Sequence, residues 1–130
     1  MDLKLGKLAQ IAFPVADAQR SVDFFKDKLG LELVLRPHET MAFFDCGGVM
    51  LYVEQSQGPG AAQGASILYF SCTDIAMATR ELEQRGVEIV SQPHCIAKLP
   101  AYDLWMSFFK DPEGHLLALH MQAPSGWTPG

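Results

Sequence analysis

Residues Gly30-Leu-Glu-Leu-Val-Leu-Arg-Pro-His38 recur as Gly86-Val-Glu-Ile-Val-Ser-Gln-Pro-His94, 56 positions further on. That recurrence constrains the fold more than any other feature of the chain. Gly, Glu, Val, Pro and His match at identical offsets. Upstream, Phe13-Pro-Val-Ala-Asp17 answers to Phe70-Ser-Cys-Thr-Asp74 at an offset of 57. Downstream, Phe43-Phe44, a glycine turn and Met50-Leu51 answer to Phe108-Phe109, a second turn and Ala118-Leu119. Ordered matches at one period indicate two copies of a module of roughly 55 residues. A module that short is marginal alone, so the copies are expected to pack on each other or on a second chain.

Each copy reads as βαβββ, an α+β fold. In the strand over Leu8 to Val15, Ile11, Phe13 and Val15 share one face while Gln10, Ala12 and Pro14 share the other. Asp17 is placed to cap a helix whose stripe is Ala18, Val22, Phe25 and Leu29, and Gly30 supplies the left-handed residue after it. Strands are then expected over Leu31 to Leu35, stopped by Pro37, and over Met41 to Asp45 and Val49 to Glu54, joined through Gly47-Gly48. The second copy repeats the plan. A strand over Ser66 to Cys72 precedes the Asp74 cap and a helix with Ile75, Ala78 and Leu82 inward, ended by Gly86. Strands follow over Val87 to Val90, Leu104 to Phe109 and His115 to Met121, the last two joined by a Pro–Gly turn, Lys110 to Gly114. The domain plan is therefore module one at 7–54, a Gly/Gln/Ala-rich linker at 55–65, module two at 66–122 and a loose tail at 123–130. One face of each sheet carries its helix. The other face needs cover, and the matching face of the other module would supply it. A cleft-bearing, partly closed mixed sheet with helices outside results.

Net charge is −5 with no concentrated run of Lys or Arg, so neither nucleic acid nor an anionic membrane is expected as a partner. No stretch approaches the ~18 apolar residues of a membrane span, and no secretory leader is read in the first ten residues. Cys46, Cys72 and Cys95 are odd in number and lack metal or redox spacing. Reduced thiols and a cytoplasmic location are the expectation.

The stretches Ala16-Asp17-Ala-Gln-Arg-Ser-Val-Asp-Phe-Phe25 with Leu29-Gly30-Leu31, and Phe109-Lys-Asp-Pro-Glu-Gly-His115, resemble the opening and closing motifs of the vicinal oxygen chelate superfamily. Glyoxalase I, bleomycin-resistance proteins and extradiol dioxygenases belong to it. The resemblance runs from about Leu8 to Met121. It implies four cleft positions, usually His or Gln, Glu, His and Glu, that hold a divalent metal. Carried over, they fall on Gln10, Met50, Ile67 and Ala118, three of which cannot bind a hard metal. The expectation is therefore no metal site and no cofactor.

Strand alternation places Ala12, Tyr52, Glu54, Tyr69, Ser71, His120 and Gln122 on the same faces, with Trp105 or Met106 from the neighbouring strand. This is the mainly apolar and aromatic lining of a small-molecule site. Alternatives stay open for each residue. His120 could be an ordinary hydrogen-bonded or exposed histidine, Glu54 could point to solvent, and Tyr52 and Tyr69 could be core. His38 and His94 follow from duplication and loop geometry, and His115, which stands where the family usually has Asn, is expected to be exposed. No Gly-x-Ser-x-Gly, activated Cys or phosphate loop is found.

The leading expectation is a homodimeric binding protein of the bleomycin-resistance type that sequesters a planar or aromatic ligand, a cationic one included. The alternative is a lyase, isomerase or dioxygenase using one divalent metal on displaced ligands, Gln10, Glu54 and His120, with Tyr52 or Tyr69 as proton donor.

Overall fold

In the computed structural model, residues 3–56 and 66–130 are described, and the chain forms two compact units, Met1–Ala65 and Ser66–Gly130. The first contains strand β1 (Gln10–Val15), helix α1 (Ala18–Asp23) continued by a π-helical turn (Phe24–Lys28), then β2 (Glu32–His38), β3 (Met41–Cys46) and β4 (Val49–Gln55). The second contains β5 (Leu68–Ser71), α2 (Ile75–Gln84), β6 (Glu88–Lys98), β7 (Asp103–Lys110) and β8 (Leu116–Ala123). The sheet orders are β1-β4-β3-β2 and β5-β8-β7-β6. In each, the first strand runs parallel to the last and all other pairs are antiparallel. Each unit is thus βαβββ with an open, mixed four-stranded sheet.

The caps form as the sequence implies. Asp17 accepts from the Arg20 N–H and Asp74 from the Met77 N–H, both at 3.1 Å. Gly30 and Gly86 take positive φ after the helices. The π-helical turn is what the 3.6-residue stripe did not contain. Leu29 N–H bonds back five residues to the Phe24 carbonyl, and the widened turn buries Phe24 and Phe25 together. Phe25 is the centre of this core, its ring 5.6 Å from Phe13 and 5.8 Å from Phe44. In the second unit Thr79, rather than Ala78, is the fully buried residue between Ile75 and Leu82. Its hydroxyl bonds the Ile75 carbonyl at 2.7 Å and the Ser107 hydroxyl at 2.9 Å, which ties α2 to β7.

Three expectations are corrected here. Strands β2 and β6 run through Pro37 and Pro93 instead of stopping before them. Both are sheet edges, where a missing N–H costs no ladder bond, and both shift register beside the proline. The tail at 123–130 is not loose at its start: Ala123 ends β8, Gly126 N–H donates to buried Asp103, and Trp127 meets Trp105 edge-on at 5.3 Å. His115 is buried, not exposed. Its Nδ1 lies 2.7 Å from Asp111 Oδ2, and Asp111 Oδ1 accepts from the N–H groups of Glu113 and His115. The linker expected at 55–65 lies outside the described residues from 57 onward. Gln55 belongs to β4, and its side-chain carbonyl accepts from Ala18 N–H.

Candidate functional site

Alternation divides each sheet into a helix face and a bare face. In the first unit Phe13, Val15, Ala42, Phe44, Leu51 and Val53 are buried toward α1. The bare face carries Gln10, Ala12 and Pro14 of β1, Met50, Tyr52 and Glu54 of β4, and Met41, Phe43 and Asp45 of β3. Register arranges them in rows. Gln10 pairs Met50, Ala12 pairs Tyr52, which pairs Phe43, and Pro14 pairs Glu54. Tyr52 and Phe43 stack with centroids 4.6 Å apart and planes 8° from parallel.

In the second unit the bare face carries Tyr69 and Ser71 of β5, Ala118 and His120 of β8, and Met106 and Phe108 of β7. Tyr69 and Phe108 flank Ala118 in register and close over it edge to face at 6.2 Å, leaving Ala118 fully buried. His120 is half-buried between Ser71 and Met106. Ile67 precedes β5 and is 37% exposed, so Tyr69, rather than Ile67, is the neighbour of Ala118.

Trp105 is a misplacement. It pairs Met121 on the face that Ser107 and Phe109 present to α2, and Met106 takes the bare-face place instead. An unbroken register from Asp103 to Lys110 leaves no bulge that could turn Trp105 over.

The positions implied as metal ligands do not fit a divalent ion. Gln10 offers one neutral carbonyl, Met50 a soft thioether and Ala118 nothing. The displaced set fares no better within the first unit. Gln10 and Glu54 stand four residues apart in register, about 13 Å along the strand, with Ala12 and Tyr52 between. Among the described residues no group of three or more His, Cys, Asp and Glu side chains could hold an ion.

Two of the thiols are shifted away from the reactive thiolate. Burial, then the Asp45 carboxylate, pushes the Cys46 thiol above its ordinary value. Burial, then Asp74, does the same for Cys72, partly offset by its bond to the His120 backbone. A thiol held protonated is a poor attacking group. What the bare faces offer is aromatic surface with polar groups at the margins.

Phe43 and Phe108 are bare-face aromatics that the sequence pattern did not single out. The signal lay in the repeat itself. Adjacent strand residues face opposite ways, so Phe43-Phe44 and Phe108-Phe109 each send one ring to the core and one to the bare face.

The family model described as Glyoxalase/Bleomycin resistance protein/Dioxygenase superfamily matches residues 7–119. The chain is similar to glutathione transferase FosA of Serratia marcescens, 30% identical over 123 residues that cover 90% of this chain and 82% of that one. It is also similar to the uncharacterized protein YraH of Bacillus subtilis (strain 168), 28% identical over 127 residues, 88% of this chain and 97% of that one. An integron cassette protein from V. cholerae shares the fold, with a TM-score of 0.75 at 22% identity over 95% of this chain and all of that one.

Proposed function

Because the chain belongs to the glyoxalase/bleomycin resistance protein/dioxygenase superfamily, we propose that it binds a planar or aromatic small molecule and holds it without the divalent metal many members use. The carrying observation is the pair of aromatic contacts on the bare faces, Phe43 with Tyr52 and Tyr69 with Phe108, beside positions occupied by Met50 and Ala118. A guest stacking on such rings gains about 0.5–1.5 kcal/mol per ring beyond area burial. On the first sheet Gln10 and Glu54, beside Met50, would engage its polar edge, and on the second His120 would, with Ala118 and Ile67 near it. No helix among the described residues is long and apolar enough to cross a membrane, and a cytoplasmic location goes with the reading.

A screen of planar compounds tests it. Binding in the micromolar range is expected. The Tyr52→Ala/Tyr69→Ala double variant should weaken it at least about tenfold while its circular dichroism stays that of the folded chain. Hits indifferent to that double change refute the aromatic faces as the site.

Similarity to a protein named a glutathione transferase favours a second reading, an enzyme, and that alternative would place one divalent metal on the displaced ligands. Elemental analysis separates the two. The binding reading expects no stoichiometric Zn, Ni, Mn or Fe in the purified protein, and about one ion per chain would replace it with the enzymatic one.

A further inference from the structure

We propose that Ala12 is the floor of a ledge for one flat ring, and that Glu54 selects, among flat guests, those with a hydrogen-bond donor on the ring edge. This rests on the binding function above and adds the place and chemistry of recognition. The row across the first sheet reads Ala12, Tyr52, Phe43, Leu35. Rings 4.6 Å apart and 8° from parallel must lie face over face. Phe43 therefore covers the face of Tyr52 that looks toward β3, and the other face looks toward β1.

The residue on that side is Ala12. Its side chain is a single methyl, and it is exposed to solvent. Adjacent strands lie about 4.8 Å apart, and stacked carbons approach to about 3.5 Å. The space over Ala12 thus admits one aromatic thickness against Tyr52. The second unit has no such ledge, because Tyr69 and Phe108 already close over fully buried Ala118. The two pairs sit differently: the first joins neighbouring strands β3 and β4 and leaves Ala12 of β1 uncovered, and the second spans β5 and β7 across β8.

Chemistry at the margins narrows the guest. Gln10 and Pro14 flank Ala12 on the same face of β1, each about 6–7 Å away along the strand. Glu54 pairs Pro14 and is exposed. An ionised carboxylate only accepts hydrogen bonds. It rewards a ring N–H or amino group, most of all a cationic one, through a charge-assisted bond. The class is a flat heteroaromatic amine or amidine.

The test uses 2-aminobenzimidazole and, as its donor-poor counterpart, 1-methylbenzimidazole, titrated into the full chain and followed by amide NMR shifts. The amino compound should bind more tightly and shift Ala12 and Tyr52. Ala12→Leu, which fills the ledge, should weaken its binding at least about tenfold with an unchanged melting temperature. Glu54→Gln should reduce the preference between the two probes while leaving the weaker one unaffected. Should Ala12→Leu bind as the native chain does, the ledge is refuted; if the Tyr52→Ala/Tyr69→Ala variant still loses binding in that case, binding on the aromatic faces survives. Loss of fold in Ala12→Leu would be met with Ala12→Val, for which a smaller loss is expected and no loss refutes the ledge. Absence of binding by either probe to the native chain overturns the proposal.

Discussion

Asp111 and His115 show how one side chain can fix a turn. The carboxylate takes two backbone N–H groups on Oδ1, at 3.0 and 2.8 Å, and the imidazole on Oδ2 at 2.7 Å, with both side chains about 1% exposed. Removing the carboxylate takes the acceptor from buried backbone N–H groups, at about 1–3 kcal/mol. Asp111→Ala should lose that much in urea denaturation, and an unchanged midpoint would show that the clip contributes nothing. The thiols allow a pH prediction. Cys46 and Cys72 have folded values raised above 9.0. Above that pH the unfolded chain has released protons that the folded chain still holds, so the folded state binds more. Stability must then fall as pH rises from 9.0 toward the folded values, the contribution being complete below 9.0. The Cys46→Ser/Cys72→Ser variant should show a shallower alkaline loss than the native chain; parallel curves would contradict the shift. None of this was legible from residue types. An Asp-Pro-Glu-Gly-His turn reads as surface because its composition is polar, and only the tertiary position of the turn buries the histidine.

Elements were far more readable. The repeat, the Asp17 and Asp74 caps and the glycines at helix ends are local devices, and local physics places them correctly. What escaped depended on neighbours in space. Pro37 and Pro93 look like strand stops until β2 and β6 prove to be edges. The face of Trp105 required the β7–β8 register, which no single strand contains. The Gly47-Gly48 hairpin belongs to the readable part. Both glycines have positive φ, +65° and +94°, joining Cys46 to its partner Val49, as a two-residue turn of this hand demands. Asp45 accepts from the Gly48 N–H at 2.9 Å, closing the turn. A Cβ at Gly48 would meet the Lys7 amine at 2.8 Å, a flexible tip that can move, so the backbone strain decides the outcome. Gly48→Ala should cost about 1–2 kcal/mol in the denaturation midpoint, with Lys7→Ala giving no relief. Recovery in the double variant would mean that the lysine contact, not φ, sets the penalty.

At the scale of the molecule, the issue is what covers apolar surface that neither helix reaches. Val34 and Leu35 on edge strand β2 are 51% and 54% exposed, and Leu3, Leu5 and Leu8 ahead of β1 are more so. Scattered singly, such residues are ordinary. The two groups lie at opposite edges of the first sheet, β2 and β1, and the run of leucines ahead of β1 is the strip expected to meet another chain. A second copy is the simplest occupant, since a two-fold pairing buries the same patch twice. Edge-to-edge strand addition is the less favoured mode, because the register shifts and Pro37 blunt β2; side-chain packing of the leucines is the expected one. Light scattering at micromolar concentration should give a mass near twice 14.3 kDa. Replacing Leu3 and Leu5 by Ser should shift it toward one chain without lowering the helical signal. A native mass of one chain would rule the dimer out, and a dimer indifferent to the serine variant would move its interface off the arm.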